Sequence, residues 1–161
     1  MPAPFNDIAI ANPPRIDRRG FASCVATATG IRYGMVVVGD DAVGNANHRD
    51  VELPAGAGAT RVRGVVSDQG NPNATPSGNF AVGAEFGCCI EGDVEVLLDA
   101  GQIATTDQPC ITGTTVGTVK PVAAEAAPYD VVGRFAQDYD NSGGGSPVLV
   151  SIHMGIYRRF A

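Results

Sequence analysis

From residue 21 onward apolar and polar positions alternate with period two, the spacing of half-buried β-strands. The longest run is Cys88 to Asp99. Cys88, Ile90, Gly92, Val94, Val96 and Leu98 fall on one face, and Glu91, Asp93, Glu95 and Asp99 on the other. Val148 to Tyr157 repeats the pattern, with Val148, Val150, Ile152, Met154 and Ile156 inward and Ser151, His153 and Tyr157 outward. Gly34 to Gly39 reads as a short buried strand closed by a turn at Gly39-Asp40-Asp41, and Val51 to Pro54 as another fragment. In Arg61 to Val66, Val62, Gly64 and Val66 share a face, leaving Arg61 and Arg63 on the opposite one. Further strands are predicted at Gln102–Ala104, Thr114–Val119 and Val131–Ala136. Gln69 to Asn79 and Asn141 to Ser146 read as polar loops. Only the alanine-rich stretch from Pro121 to Pro128 has room for a short helix.

Many short strands separated by turn signals predict an all-β fold, a compact β-barrel or β-sandwich of short antiparallel strands. Three glycines lie inside predicted strands, in Val62-Arg-Gly64-Val, Val116-Gly117-Thr-Val and Val132-Gly133-Arg-Phe. A glycine there marks a bulge or a close backbone approach, which favours a curled, barrel-like sheet.

Residues 1–20 break the pattern. Pro2, Pro4, Pro13 and Pro14 exclude a regular helix or central strand. Phe5, Ile8 and Ile10 are large apolar side chains, costly to leave in water. An extended N-terminal arm over 1–20, before a β-domain over 21–161, satisfies both facts if Phe5, Ile8, Ile10, Pro13 and Pro14 anchor it on a neighbour. Its basic end, Arg15, Arg18 and Arg19, would pair with acidic residues. A disordered tail is the alternative.

Composition narrows the partners. The chain has 161 residues, 44% hydrophobic and only 17% charged, with 21 Gly, 11 Pro and no Trp. Its net charge of −6, with Lys120 the single lysine, argues against nucleic acid and anionic membranes. The N-terminus has no signal-peptide pattern, and no apolar run is long enough to span a bilayer. Cys24, Cys88, Cys89 and Cys110 contain no C-x-x-C and are expected to be reduced, buried small hydrophobes of a protein made in a cytoplasm.

Candidate chemistry is sparse. His48 lies in a loop and His153 on the polar face of the last strand, with no G-x-S-x-G elbow to accompany a triad. Gly56-Ala-Gly58 lacks the third glycine of a dinucleotide fingerprint, and Lys120 follows Val119, so no P-loop exists. Lys120 also lacks the flanks of a lipoyl or biotinyl attachment lysine. Glu91, Asp93 and Glu95 form an acidic stripe. Alternate strand residues are ~6.7 Å apart, too far for three to share one Ca²⁺ at ~2.5 Å. The stripe is a solvated face or pairs with a basic stripe such as Arg61/Arg63, across the sheet or from another subunit. Asp138 to Gly143 has the first half of a Ca²⁺ loop, but Leu149 stands where the bidentate Glu is needed, so a hairpin loop is preferred. No catalytic, cofactor or metal residue is assigned.

The order of several fragments resembles the bacteriophage capsid cement (decoration) proteins: Gly34 to Val38, Val51 to Pro54 with Arg63 to Val66, Gly92 to Val96, Gly113 to Pro121 and Val132 to Arg134. The likeness covers residues 34–136. It implies a barrel or sandwich, often a homotrimer, made in the host cytoplasm and seated on the outer surface of an icosahedral head. There it would bind major capsid protein at local threefold junctions and hold the expanded shell, without cofactor or catalysis. A tail, baseplate or fibre module is the main rival. A trimeric β-barrel hydrolase or ligand binder using His48 or His153 beside a carboxylate is a further one.

Overall fold

The computed structural model describes residues 20–40, 49–67 and 78–160. In chain order the strands are β1 (Phe21–Ala26), β2 (Val36–Gly39), β3 (Asp50–Glu52), β4 (Val62–Val66), β5 (Glu85–Cys89), β6 (Glu91–Leu98), β7 (Ile103–Ala104), β8 (Pro109–Thr112), β9 (Val119–Pro121), β10 (Tyr129–Phe135), β11 (Tyr139–Asp140) and β12 (Val148–Arg159). The fold is all-β, and its two five-stranded sheets close. Strands β1-β3-β2-β4-β5 form one barrel, β10-β12-β6-β9-β8 a second, and β7 pairs β11 in a small ribbon. Closure removes the unpaired edges that short strands would otherwise expose.

The two barrels are built on one plan. Each has a single parallel pair, β1–β3 and β6–β9, at matching places in the strand order. Val51 pairs Ala26 in the first barrel, as Val119 pairs Leu98 in the second. The Thr27 amide donates to the Val51 carbonyl at 3.0 Å, and the Asp99 amide to that of Val119 at 2.8 Å. Before β2 the Gly34 amide donates to the Val66 carbonyl at 2.9 Å; before β8 the Asp107 amide donates to that of Phe135 at 2.8 Å. These two residues hold the same left-handed backbone, φ 79° and 66°.

Two of the three strand glycines mark the shared bulge. The register slips between Val37 and Val38 opposite Gly64, and between Val131 and Gly133. A Cβ on Gly64 would lie 2.7 Å from the Cys89 carbonyl oxygen, and one on Gly133 would strike the His153 carbonyl and sit 3.0 Å from Met154 Cα. The backbones approach too closely for a side chain.

The barrels share a core. Val36, Val38, Val62 and Val65 of the first pack with Val96, Leu98, Val132, Phe135 and Ile152 of the second. Hydrogen bonds stitch the seam: the Val36 amide to the Gly117 carbonyl and the Leu97 amide to the Gly34 carbonyl, each 2.8 Å. Asp130, 3% exposed, accepts the Val62 amide at 2.9 Å and the Arg158 guanidinium at 2.7 Å. A buried carboxylate is tolerable only when so paired. A second cluster, with Cys24, Ile31, Val51, Val66 and Phe86, fills the first barrel.

Four local expectations are corrected. Thr114–Val119 is not a strand; β9 begins at Val119, and Gly113 to Thr118 forms a turn whose amides bind Asp99. Asp99 is therefore buried, 3% exposed, and not on the solvated acidic face. The stretch after Pro121 forms no helix. Glu125 accepts the Ala123 amide at 2.7 Å and pairs with Lys120 instead. Two turns between prolines are too short to nucleate a helix. The Cys88–Asp99 run is interrupted at Ile90, where β5 of the first barrel passes into β6 of the second.

Candidate docking surfaces

The structure brings Glu91, Asp93 and Glu95 together, exposed on β6 of the second barrel. Across the register they face Gly155, His153 and Ser151 of β12. Asp93 pairs with His153 Nδ1, and Tyr33 of the first barrel donates its hydroxyl to Glu95 Oε2 at 2.8 Å. Phe21, Tyr33, Asp93, Glu95 and Ser151 line an open cleft of about 290 Å³ here. The chain enters its rim at Gly20, whose carbonyl accepts the Ile90 amide at 2.6 Å.

Arg63 lies elsewhere. It is exposed on β4, its guanidinium lies against Gly39, and it lines a different groove. Arg61 precedes β4 with φ 62°, its carbonyl bound by the Gly39 amide. The Arg63 groove measures about 550 Å³ and is walled by Ala22, Cys24, Val62, Ile90 and Ile156, with Ser23 and Arg49 beside them. Arg49 ion-pairs with Glu85 and donates to Ser23 Oγ at 2.9 Å. The wall thiol of Cys24 is held below the ordinary thiol range by a hydrogen bond from Cys88, with Arg63 and Arg49 adding to it against the opposing effect of burial. Arg49, Ser23 and Tyr33 carry no period-two signal, and sequence reasoning missed them.

Phe5, Ile8, Ile10, Pro13, Pro14, Arg15, Arg18, Arg19 and His48 lie outside the described residues. The 138–143 segment is a ribbon and turn. Asp138 accepts from the Thr106 amide at 2.7 Å and hydroxyl at 2.9 Å, and Asp140 from the Ser142 amide at 2.9 Å and hydroxyl at 2.6 Å. Those bonds hold both carboxyls below the usual range. Among the described residues no three His, Cys, Asp or Glu side chains form a metal-holding group. Cys88, Cys89 and Cys110 are fully buried; burial pushes the Cys110 thiol up to about 12. No helix among the described residues is long and apolar enough to cross a membrane.

What the arrangement offers is therefore two polar-rimmed grooves of opposite charge, with Cys88, Cys89 and Cys110 withdrawn into the core and Cys24 buried in the wall of one groove. No protein-family model matches the chain, and no curated protein matches it. Among solved structures it is similar to the head fiber gp8.5 N base of bacteriophage phi29, with 14% identity over 84% of this chain and 92% of that one and a TM-score of 0.46.

Proposed function

We propose that the chain is a non-catalytic structural module of a bacteriophage particle, working by docking on other protein subunits. The observation that supports this most is the pair of like barrels, one docked on the other through a turn seated on a face, with a second groove open among the described residues. Such a body is suited to joining subunits in series, as a fibre base, tail or baseplate module must. The arm over 1–20 would add reach: Phe5, Ile8 and Ile10 as apolar anchors, Pro13 and Pro14 keeping the segment extended, and Arg15, Arg18 and Arg19 pairing with acidic residues of the partner. Glu91, Asp93 and Glu95 would take basic side chains of a neighbour.

A second reading is capsid cement, bound as a homotrimer to major capsid protein on the outer head surface. The order of the Gly34–Val38, Val51–Pro54, Gly92–Val96 and Gly113–Pro121 fragments favours it. Electron microscopy of particles carrying the full chain separates the two. Density at a fibre, tail or baseplate attachment supports the first, and density repeated across the shell lattice supports the second. Absence from the purified particle overturns both. Deleting residues 2–19 is expected to abolish attachment while leaving the far-ultraviolet circular dichroism of the barrels unchanged; undiminished attachment would show that the arm does not carry the docking.

A further inference from the structure

The seam between the barrels is a turn seated on a face. The turn is Arg32 to Val36 of the first barrel. Its Tyr33 hydroxyl reaches Glu95, its Gly34 carbonyl accepts the Leu97 amide, and its Val36 amide donates to Gly117. Gly34 is so close to Leu149 that a Cβ would lie 2.7 Å from its Cδ2. The receiving face of the second barrel is thus Glu95, Leu97, Gly117 and Leu149.

The shared plan gives each barrel a copy of both parts. Matching Ala26 to Leu98 and Val51 to Val119 places Ser23, Val25 and Arg49 of the first barrel where the second has Glu95, Leu97 and Gly117. Glu85 pairs Val25 as Leu149 pairs Leu97. The first barrel's copy of the receiving face is therefore the Arg49 edge of the open groove. Beside it Arg63 occupies the bulge that Val132 fills in the second barrel, and there the two part company. Val132 is fully buried in the shared core, whereas Arg63 is exposed and makes no ion pair among the described residues.

The second barrel likewise has its own copy of the docking turn, Thr105 to Pro109. The Gln108 amide donates to the Thr105 carbonyl as the Met35 amide does to that of Arg32, and Asp107 takes the left-handed place of Gly34. Asp107 is exposed, and Asp138 stands beside it, bonded to Thr106. One turn-and-face pair is joined inside the molecule. Among the described residues the other turn carries Asp107 and Asp138, with Arg134 bonded to the Asp107 carbonyl at 2.8 Å, and the other face carries Arg49 and Arg63 with Glu85 paired to Arg49.

We infer that a second copy of this chain docks its Asp107/Asp138 turn against the Arg49/Arg63 groove through charge, at the place equivalent to the seam that joins the two barrels within one molecule. A turn on one barrel meeting a face on the other is a heterologous contact, so copies form a ring if the rotation closes and a filament if it does not. Two features set its strength. Glu85 already neutralises part of the Arg49 charge and repels the incoming aspartates. The Val25 amide is bonded to the Arg49 carbonyl at 2.9 Å, and Pro109, standing in the place of Val36, has no N–H, so neither backbone bond of the seam has a counterpart between copies. The contact rests on exposed side-chain charge and weakens with salt.

Sedimentation velocity of the full chain tests this at 50 and 500 mM NaCl, independently of any phage particle. Wild type is expected to associate at low salt and dissociate at high salt. Arg63→Glu alone, or Asp107→Lys with Asp138→Lys, is expected to raise the dissociation constant by about tenfold or more. Mixing the two variants should restore association, because the reversed turn of one then meets the reversed groove of the other, while the native pair forms across the next contact. Because the Asp138 carboxylate also holds Thr106, Asp107→Lys alone serves as the companion variant; Arg63 and Asp107 are exposed, so circular dichroism of Arg63→Glu and Asp107→Lys should be unchanged while both still weaken association. A wild type that stays monomeric at low salt overturns the inference. So does association indifferent to both reversals, or a mixture that fails to recover.

Discussion

Replacing Gly133 with alanine should be among the most damaging single-methyl additions in this protein. The new Cβ would strike the His153 carbonyl oxygen and lie 3.0 Å from Met154 Cα and 3.1 Å from the His153 carbonyl carbon. All three atoms are backbone of β12, held by β6 on its other side, so no side chain can swing away. Relief requires β12 to shift by several tenths of an ångström against Ile152 and Met154, which are 0% and 4% exposed. Overpacking of this kind costs about 1–3 kcal/mol, and rigid backbone on the receiving side places Gly133→Ala at about 3 kcal/mol. Gly64→Ala, with contacts at 2.7 Å to the Cys89 oxygen and 2.9 Å to Cys88 Cβ, should cost about 2–3 kcal/mol. Gly155→Ala is the control. It lies in the same β12, with nothing within 4 Å of its Cβ and no left-handed φ. There alanine should be neutral or stabilise by about 0.5 kcal/mol through the unfolded chain. Urea denaturation read by circular dichroism measures all three. Gly64→Ala and Gly133→Ala both within about 0.5 kcal/mol of wild type would refute the shared bulge as a close backbone contact.

Other consequences follow from single groups. Asp130→Ala leaves the buried Val62 amide without its acceptor, and should lower stability by about 2–4 kcal/mol in the same assay. Burial pushes the Asp99 carboxyl up, but bonds from Thr115, Thr114 and Ala100 outweigh it and hold the group below the usual carboxylate range. A carboxyl lowered in the folded state contributes stability above its unfolded pKa and loses it as pH falls through the folded one. The Asp99 contribution should therefore begin to fall near the unfolded value of about pH 4 and be gone only below the lower folded one, and Asp99→Asn should flatten the acid limb of a stability–pH curve. Ellman's reagent should label none of the four cysteines in the native protein within minutes at pH 8 and all of them in denaturant, since Cys24 is 3% exposed and the others 0%.

Where alternation is strict and one face is buried, the sequence reads directly. Val150, Ile152 and Met154 point inward, and His153 outward, as their period requires. Gly64 and Gly133 also announced their role, because only close backbone contact makes a glycine worth its entropic cost inside a strand. Thr114–Val119 misled because its alternating Thr and Val imitate a strand, while the left-handed Gly117 and the Asp99 carboxylate hold the preceding residues in a turn. Asp99 itself alternates correctly yet turns inward to serve that turn. The duplication was nearly invisible. Its equivalent pairs, such as Gly34 with Asp107 or Arg49 with Gly117, share backbone role and not chemistry. The loops between matching strands also differ in length, so no fixed period survives. Only the phrases around Gly64 and Gly133 betrayed it. The grooves could not be found, since Arg49 and Ser23 meet through strand pairing that no local pattern encodes.

Docking of this protein's surfaces on other subunits is tested most directly by amide hydrogen exchange on the full chain, free and then bound to the purified phage particle. Added protection is expected at the Arg49/Arg63 groove, at the Glu91–Glu95 stripe and within residues 1–20, with the core strands unchanged. Bound protein that gains no protection at any of these three places would contradict a docking role.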